Sequence, residues 1–125
     1  MNAVMLCTGA VILIIWGTAH VVIPTRFVVE GFGPISTNNK RPLLLELLME
    51  GVLLVFISVL AAIVTNVASP TDRTAMVVYR ACATVLVVMA GISVFTGART
   101  SILPLKLCRL VFLTAAALFF IPTFA

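Results

Sequence analysis

Charge is the scarcest feature of this chain. Charged residues account for 10% of its 125 positions, against about 25% in ordinary soluble domains. A water-soluble fold must clothe its core in polar side chains, and 62% hydrophobic residues leave too few for that. The net charge of +4 is not gathered into a basic stripe interleaved with aromatics, so no nucleic-acid partner is expected. Histidine occurs once, so a haem would need its second axial ligand from a Met or from a second copy of the chain, and none is expected. With no His-x-x-x-His or Glu-x-x-His spacing, no metal site is expected either. Cys7, Cys82 and Cys108 form no C-x-x-C pair. They read as small apolar packing residues, with a Cys7–Cys82 disulfide as the alternative. No Lys or Arg precedes the first apolar run and no A-x-A site follows it, so it is expected to stay as a span and not be cleaved. Neither end carries a lipidation box.

What the chain has is four long apolar runs, at about 3–23, 45–67, 75–96 and 106–124. Each is near the ~20 residues a helix needs to cross ~30 Å of hydrocarbon. Backbone N–H and C=O groups in the bilayer must pair within their own segment, so the runs should be helices. The expected fold is all-α: one integral-membrane four-helix bundle, up-down-up-down, with the lipid bilayer as its partner. Arg26, Lys40, Arg41, Arg99, Lys106 and Arg109 belong to the first and third connections, and only Arg73 and Arg80 to the second. The positive-inside rule then places the loops 25–42 and 97–106 in the cytoplasm of a cell membrane and both termini outside.

Small residues and breakers organise the runs. Gly9 and Gly17 lie eight apart on one stripe of the first helix, a candidate close-packing face, and that helix should stop at Pro24. Pro42 suits the first turn of the second helix. The short Ser69-Pro70-Thr71-Asp72 turn makes the second and third helices antiparallel neighbours. The loop 25–42 carries Phe27, Val28, Val29, Phe32 and Ile35, too many apolar groups for a free linker. It should fold back on the membrane surface or cap the bundle.

Most ionisable groups fall at one membrane depth. His20 lies one turn before Pro24; Glu46 and Glu50 enter from the same side, on one stripe of the second helix. Lys106 and Arg109 start the fourth helix there, and Trp16 shares the face of His20. Phe32, Ser36, Asn39 and Arg41 would come from the loop above. Ionisable groups in hydrocarbon persist when they face the interior and pair. Glu50 is either charged and paired with Arg109 or protonated and hydrogen-bonded to His20. Arg80, alone near the other side, should snorkel to that interface.

The pattern Gly17-Thr18-Ala19-His20, Pro24, Gly31-Phe32-Gly33-Pro34-Ile35-Ser36, then Glu46 and Glu50-Gly51 resembles small bacterial four-helix membrane proteins of the DoxX-like group. The resemblance covers about half the chain. It implies an accessory role beside a quinone-linked oxidation partner. Three functions follow in order: a non-enzymatic subunit of a larger membrane complex, whose polar cluster locks the bundle; a site for a lipophilic molecule such as a quinone or lipid; and a transporter assembled as a homo-oligomer.

Overall fold

The computed structural model describes residues 1–23, 27–69 and 71–124. The expected helix stop at Pro24 and the position of Arg26 lie outside the described residues. The chain is all-α: α1 (Ala3–Val22), a short α2 (Phe27–Gly31), α3 (Thr37–Val67), α4 (Arg73–Phe95) and α5 (Leu103–Phe120), with 3-10 turns at Gly97–Arg99 and Ile121–Phe124. Four helical segments, Ala3–Val22, Thr37–Val67, Arg73–Arg99 and Leu103–Phe124, are long and apolar enough to span a bilayer. They run up-down-up-down. The N-terminal end of α1, the 68–72 turn and the end of α5 share one side, the terminal end. The connections after α1 and α4 share the other, the polar end.

Local signals explain most boundaries. The Asn2 side chain accepts from Val4 N at 3.1 Å and the Asp72 side chain from Thr74 N at 2.8 Å, capping α1 and α4. The second span starts well before the expected residue 45. Ser36 caps it, accepting from Asn39 N at 3.4 Å, and Thr37–Lys40 coil into its first turn. Pro42 therefore sits inside α3 and not at its start. Its missing N–H leaves only the carbonyl four residues back without a helical donor, near an exposed end where water replaces it. At 31 residues and ~1.5 Å per residue, α3 outruns the hydrocarbon, and its polar first turns stand beyond it.

The expected loop is thus mostly ordered as α2 and the first turns of α3. Val28 and Val29 are buried against Leu47 and Ile102, with Leu43, Leu44 and Leu105 around them, so this segment caps the polar end. Gly33 turns the chain there at φ +77°, a left-handed conformation that other residues adopt at a cost.

The packing order around the bundle is α3, α1, α5, α4. Small residues set how closely the helices approach, as lipid provides little hydrophobic drive between them. Gly17 of α1 and Gly51 of α3 face each other: a Cβ on Gly51 would meet Gly17 O at 2.7 Å, and one on Gly17 would meet Gly51 O at 2.8 Å. Ser58 Oγ donates to Ala10 O across the same interface at 2.6 Å. Gly9 lies against Phe119 of α5 instead, so the two glycines of the α1 stripe serve different partners. Leu13, Leu54, Leu86, Phe112 and Phe119 fill the centre among alanines.

α3 and α4 are antiparallel neighbours, as expected, but their seam is the loosest in the bundle. The short turn joins them, yet they touch only lightly and near that turn. There Thr65 Oγ1 donates to Ala61 O at 2.7 Å, so its single proton is committed and Tyr79 Oη must donate to Thr65, at 2.8 Å. Toward the polar end the two helices part. Tyr79→Phe should therefore lower stability in detergent by about 0.6–1.7 kcal/mol, the range for such bonds between membrane helices. Thermal melting of the two proteins checks this, and Ser58→Ala supplies a comparison at the closed α1/α3 interface.

Arg80 does more than reach for the interface. Its Nε donates to Thr123 Oγ1 at 3.1 Å, its Nη2 donates to Thr123 O at 3.2 Å, and its guanidinium lies 4.8 Å from the Phe124 ring centroid. This ties α4 to the terminal turn after α5. All three cysteines are free, so the Cys7–Cys82 disulfide is absent; Cys82 and Cys108 are buried as expected of packing residues, but Cys7 is exposed and is not one.

Candidate functional site

The polar centre is built by three spans, and α1 fixes its orientation. His20 is 8% exposed. Its Nδ1 lies 3.0 Å from Trp16 O, one helical turn back. A carbonyl can only accept, so Nδ1 carries a proton and donates it. The other nitrogen, Nε2, points across the bundle. It lies 3.7 Å from Glu50 Oε2 on α3 and 3.5 Å from Cys108 Sγ on α5. The Gly17–Gly51 contact makes this meeting possible, because a Cβ on Gly51 would stand 2.9 Å from His20 Cβ. Close approach of two backbones, and not side-chain length, brings the imidazole to the carboxylate.

Cys108 has one proton and two candidate acceptors. These are His20 Nε2 at 3.5 Å and Pro104 O at 3.4 Å, one turn back in α5, and the thiol donates to one of them at a time. Trp16 flanks the group, its ring centroid 5.7 Å from that of His20. Its indole N–H is buried and has no hydrogen-bond partner among the described residues. A buried unmade donor costs about 1–3 kcal/mol, so this N–H calls for an acceptor.

Two cavities adjoin the cluster. The smaller, about 160 Å³, is bounded by Trp16, His20, Val28, Leu47 and Leu105, beneath α2. The larger is the open seam between α3 and α4, a groove of about 1020 Å³. Leu53, Phe56, Met89 and Ile92 line its deeper part; Glu46, Glu50, Ser93, Thr96 and Cys108 line the part toward the polar end. Phe32 borders its mouth and is 40% exposed.

Of the residues singled out in the sequence, the fold brings Trp16, His20 and Glu50 together, with Glu46 and Phe32 on the adjoining groove. Glu46 is exposed and stays outside the cluster. Ser36 serves as the α3 cap. Asn39 and Arg41 lie in the exposed first turns of α3 and reach nothing in the site. Arg109 is exposed and makes no ion pair among the described residues, so the Glu50–Arg109 alternative gives way to Glu50–His20. Cys108, which reads in the sequence as a packing residue, is the third member of the cluster.

No protein-family model, curated protein or solved structure matches the chain. The DoxX-like resemblance therefore rests on residue pattern alone.

Proposed function

We propose that this multi-pass membrane protein is a binding subunit that receives a lipophilic molecule with a neutral polar head, of the quinone class, in the groove between α3 and α4. The observation that carries this reading is the polarity gradient along a seam open to lipid. Hydroxyl, thiol and carboxyl groups gather at one end, and aliphatic and aromatic walls continue below them. Ligand sites of about 300–1,000 Å³ with few, convergent polar groups suit drug-sized molecules, and the groove is of that size. Two carboxylates, Glu46 and Glu50, face it. They repel a phospholipid phosphate and favour a head that is uncharged. Ser93 and Cys108 can donate to a quinone carbonyl, and Glu50 can accept from a quinol hydroxyl.

On this reading the polar end faces the cytoplasm. Lys40, Arg41, Arg99, Lys106 and Arg109 stand at that end, against Arg73 and Arg80 at the other. The DoxX-like resemblance supplies the setting, an accessory role beside a quinone-linked redox partner.

Trp16 is the only tryptophan, and it neighbours the cluster, so its emission reports directly on a quinone bound there. Titrating chelator-treated protein in detergent with a decyl-tailed benzoquinone should give saturable quenching. The Glu50→Leu/Ser93→Val double variant should bind at least about tenfold more weakly, corresponding to the loss of one or two polar contacts. Quenching that never saturates, or is equal in both proteins, rejects the proposal.

A further inference from the structure

His20, Glu50 and Cys108 each present one ligand-type atom to the same small volume, and these atoms all lie within 4.8 Å of one another. We infer that they form a binding site for a single divalent cation of the zinc class, buried between α1, α3 and α5. The site shares Glu50 and Cys108 with the groove reading but needs no lipophilic ligand.

The first support is geometric. Metal–ligand bonds of about 2.0–2.3 Å at tetrahedral angles separate neighbouring donor atoms by roughly 3.3–3.7 Å. Nε2 lies 3.5 Å from Cys108 Sγ and 3.7 Å from Glu50 Oε2. Two edges of the triangle thus match a cation site, and the third, Cys108 Sγ to the Glu50 carboxylate, lies within 4.8 Å and would close by side-chain rotation. The donor set is also the right kind: imidazole nitrogen, thiolate sulfur and carboxylate oxygen together select a borderline cation over hard Mg²⁺ or Ca²⁺.

The second support lies in the surrounding hydrogen bonds. A ligating histidine characteristically donates its other N–H to a carbonyl or carboxylate, which fixes the tautomer and aims the lone pair. Nδ1 does this with Trp16 O at 3.0 Å, leaving Nε2 as the nitrogen toward the cluster. The buried indole N–H of the same Trp16 meets no hydrogen-bond geometry among the described residues, and the Cys108 thiol is the group beside it. A thiolate would give that N–H its acceptor. The same tryptophan thus holds the histidine through its carbonyl and would stabilise the sulfur through its ring.

Charge gives the third. Binding expels the thiol proton, and Cys108 thiolate with Glu50 carboxylate then neutralises a divalent ion in full. A neutral centre is what a low-dielectric interior tolerates. Three protein ligands leave a fourth position. Glu50 and Cys108 border the α3/α4 groove, so that position opens toward it, as in sites that keep room for water or an added ligand.

Co²⁺ is the direct probe. Quinone-free wild-type protein in detergent should take up one Co²⁺ per chain, with thiolate-to-cobalt charge-transfer absorption and the intense visible bands of tetrahedral cobalt. Zn²⁺ should bleach both. Cys108→Ser should lose the charge-transfer band, and Cys7→Ser/Cys82→Ser should retain it. Trp16→Phe should bind about 10–100-fold more weakly, the usual effect of losing an outer-shell partner. Since Cys108→Ser could fail to fold, a second measurement uses Cys7→Ser/Cys82→Ser, in which Cys108 is the sole thiol. Zn²⁺ should protect it from maleimide. Absence of the band in wild type, its survival in Cys108→Ser, or maleimide labelling unchanged by Zn²⁺ would overturn the inference. The quinone titration uses metal-free protein, so either result can fail without the other.

Discussion

Gly51→Ala is expected to destabilise the protein by about 1–3 kcal/mol, and to dismantle the polar cluster as it does so. The added methyl would meet Gly17 O at 2.7 Å, Val21 Cγ2 at 2.8 Å and His20 Cβ at 2.9 Å. One of the three obstacles is backbone and one is the root of the histidine, so turning the Val21 side chain aside would not relieve the clash. The helices must move apart by a few tenths of an ångström or more. Such a shift also stretches the Ser58–Ala10 bond, which is 2.6 Å long. Because His20 and Glu50 sit on the two helices being separated, Gly51→Ala should weaken Co²⁺ uptake along with thermal stability. Gly91→Ala is the control. A Cβ there meets nothing within 4 Å, and alanine favours helix, so stability should hold or rise by up to ~1 kcal/mol. Equal melting of the Gly51 and Gly91 variants would mean that α1 and α3 do not touch as described.

The second large effect separates a cluster that locks the fold from one kept for binding. His20→Leu alone removes the partner facing Glu50 and leaves a carboxylate in the bundle. Breaking a fully buried pair costs about 3–5 kcal/mol. The Glu50 side chain keeps 26% of its exposure, so about 2–3 kcal/mol is expected here. Replacing both partners, as His20→Leu/Glu50→Leu, removes the unpaired charge. Apolar replacement of a buried pair is often neutral or stabilising by about 1–4 kcal/mol. The double variant should thus melt at or above the wild type while losing quinone quenching and Co²⁺ binding. A polar lock predicts the opposite, with the double variant at least as unstable as the single. Thermal melting of the four proteins in one detergent reads the outcome.

The bundle itself was legible because hydrocarbon imposes a length and a composition that few other environments demand. Three of the four spans begin and end within a few residues of the apolar runs. The second does not, and Ser36 explains why. The stretch from Thr37 to Lys40 is rich in residues that also make turns, and Pro42 looks like a first-turn residue. A cap that satisfies the helix start outweighs both, and water at the exposed end covers the carbonyl that Pro42 leaves without a donor.

The site was legible in depth but not in rotation. His20, Glu50 and the first turns of α5 do meet at one level. Charge drew attention to Arg109, yet neighbouring helical residues point about 100° apart. Arg109 faces outward and Cys108 faces the histidine. One signal was available: Cys108 follows Pro104 by four residues, one turn into the helix and level with His20. The open seam was not legible. A short turn guarantees that α3 and α4 begin side by side, and says nothing of how far they diverge. The Gly17–Gly51 contact draws α3 toward α1, and the seam toward α4 is left open.

The chain's single histidine makes one measurement decisive. Nitrogen-15 NMR of the imidazole, in detergent or lipid, reports both ring nitrogens without any assignment problem. A histidine held by α1 and facing α3 and α5 predicts a protonated Nδ1, with an Nε2 resonance that moves on Cys108→Ser and again on Glu50→Gln. An unprotonated Nδ1, or an Nε2 signal indifferent to both substitutions, would contradict the convergence of the three spans.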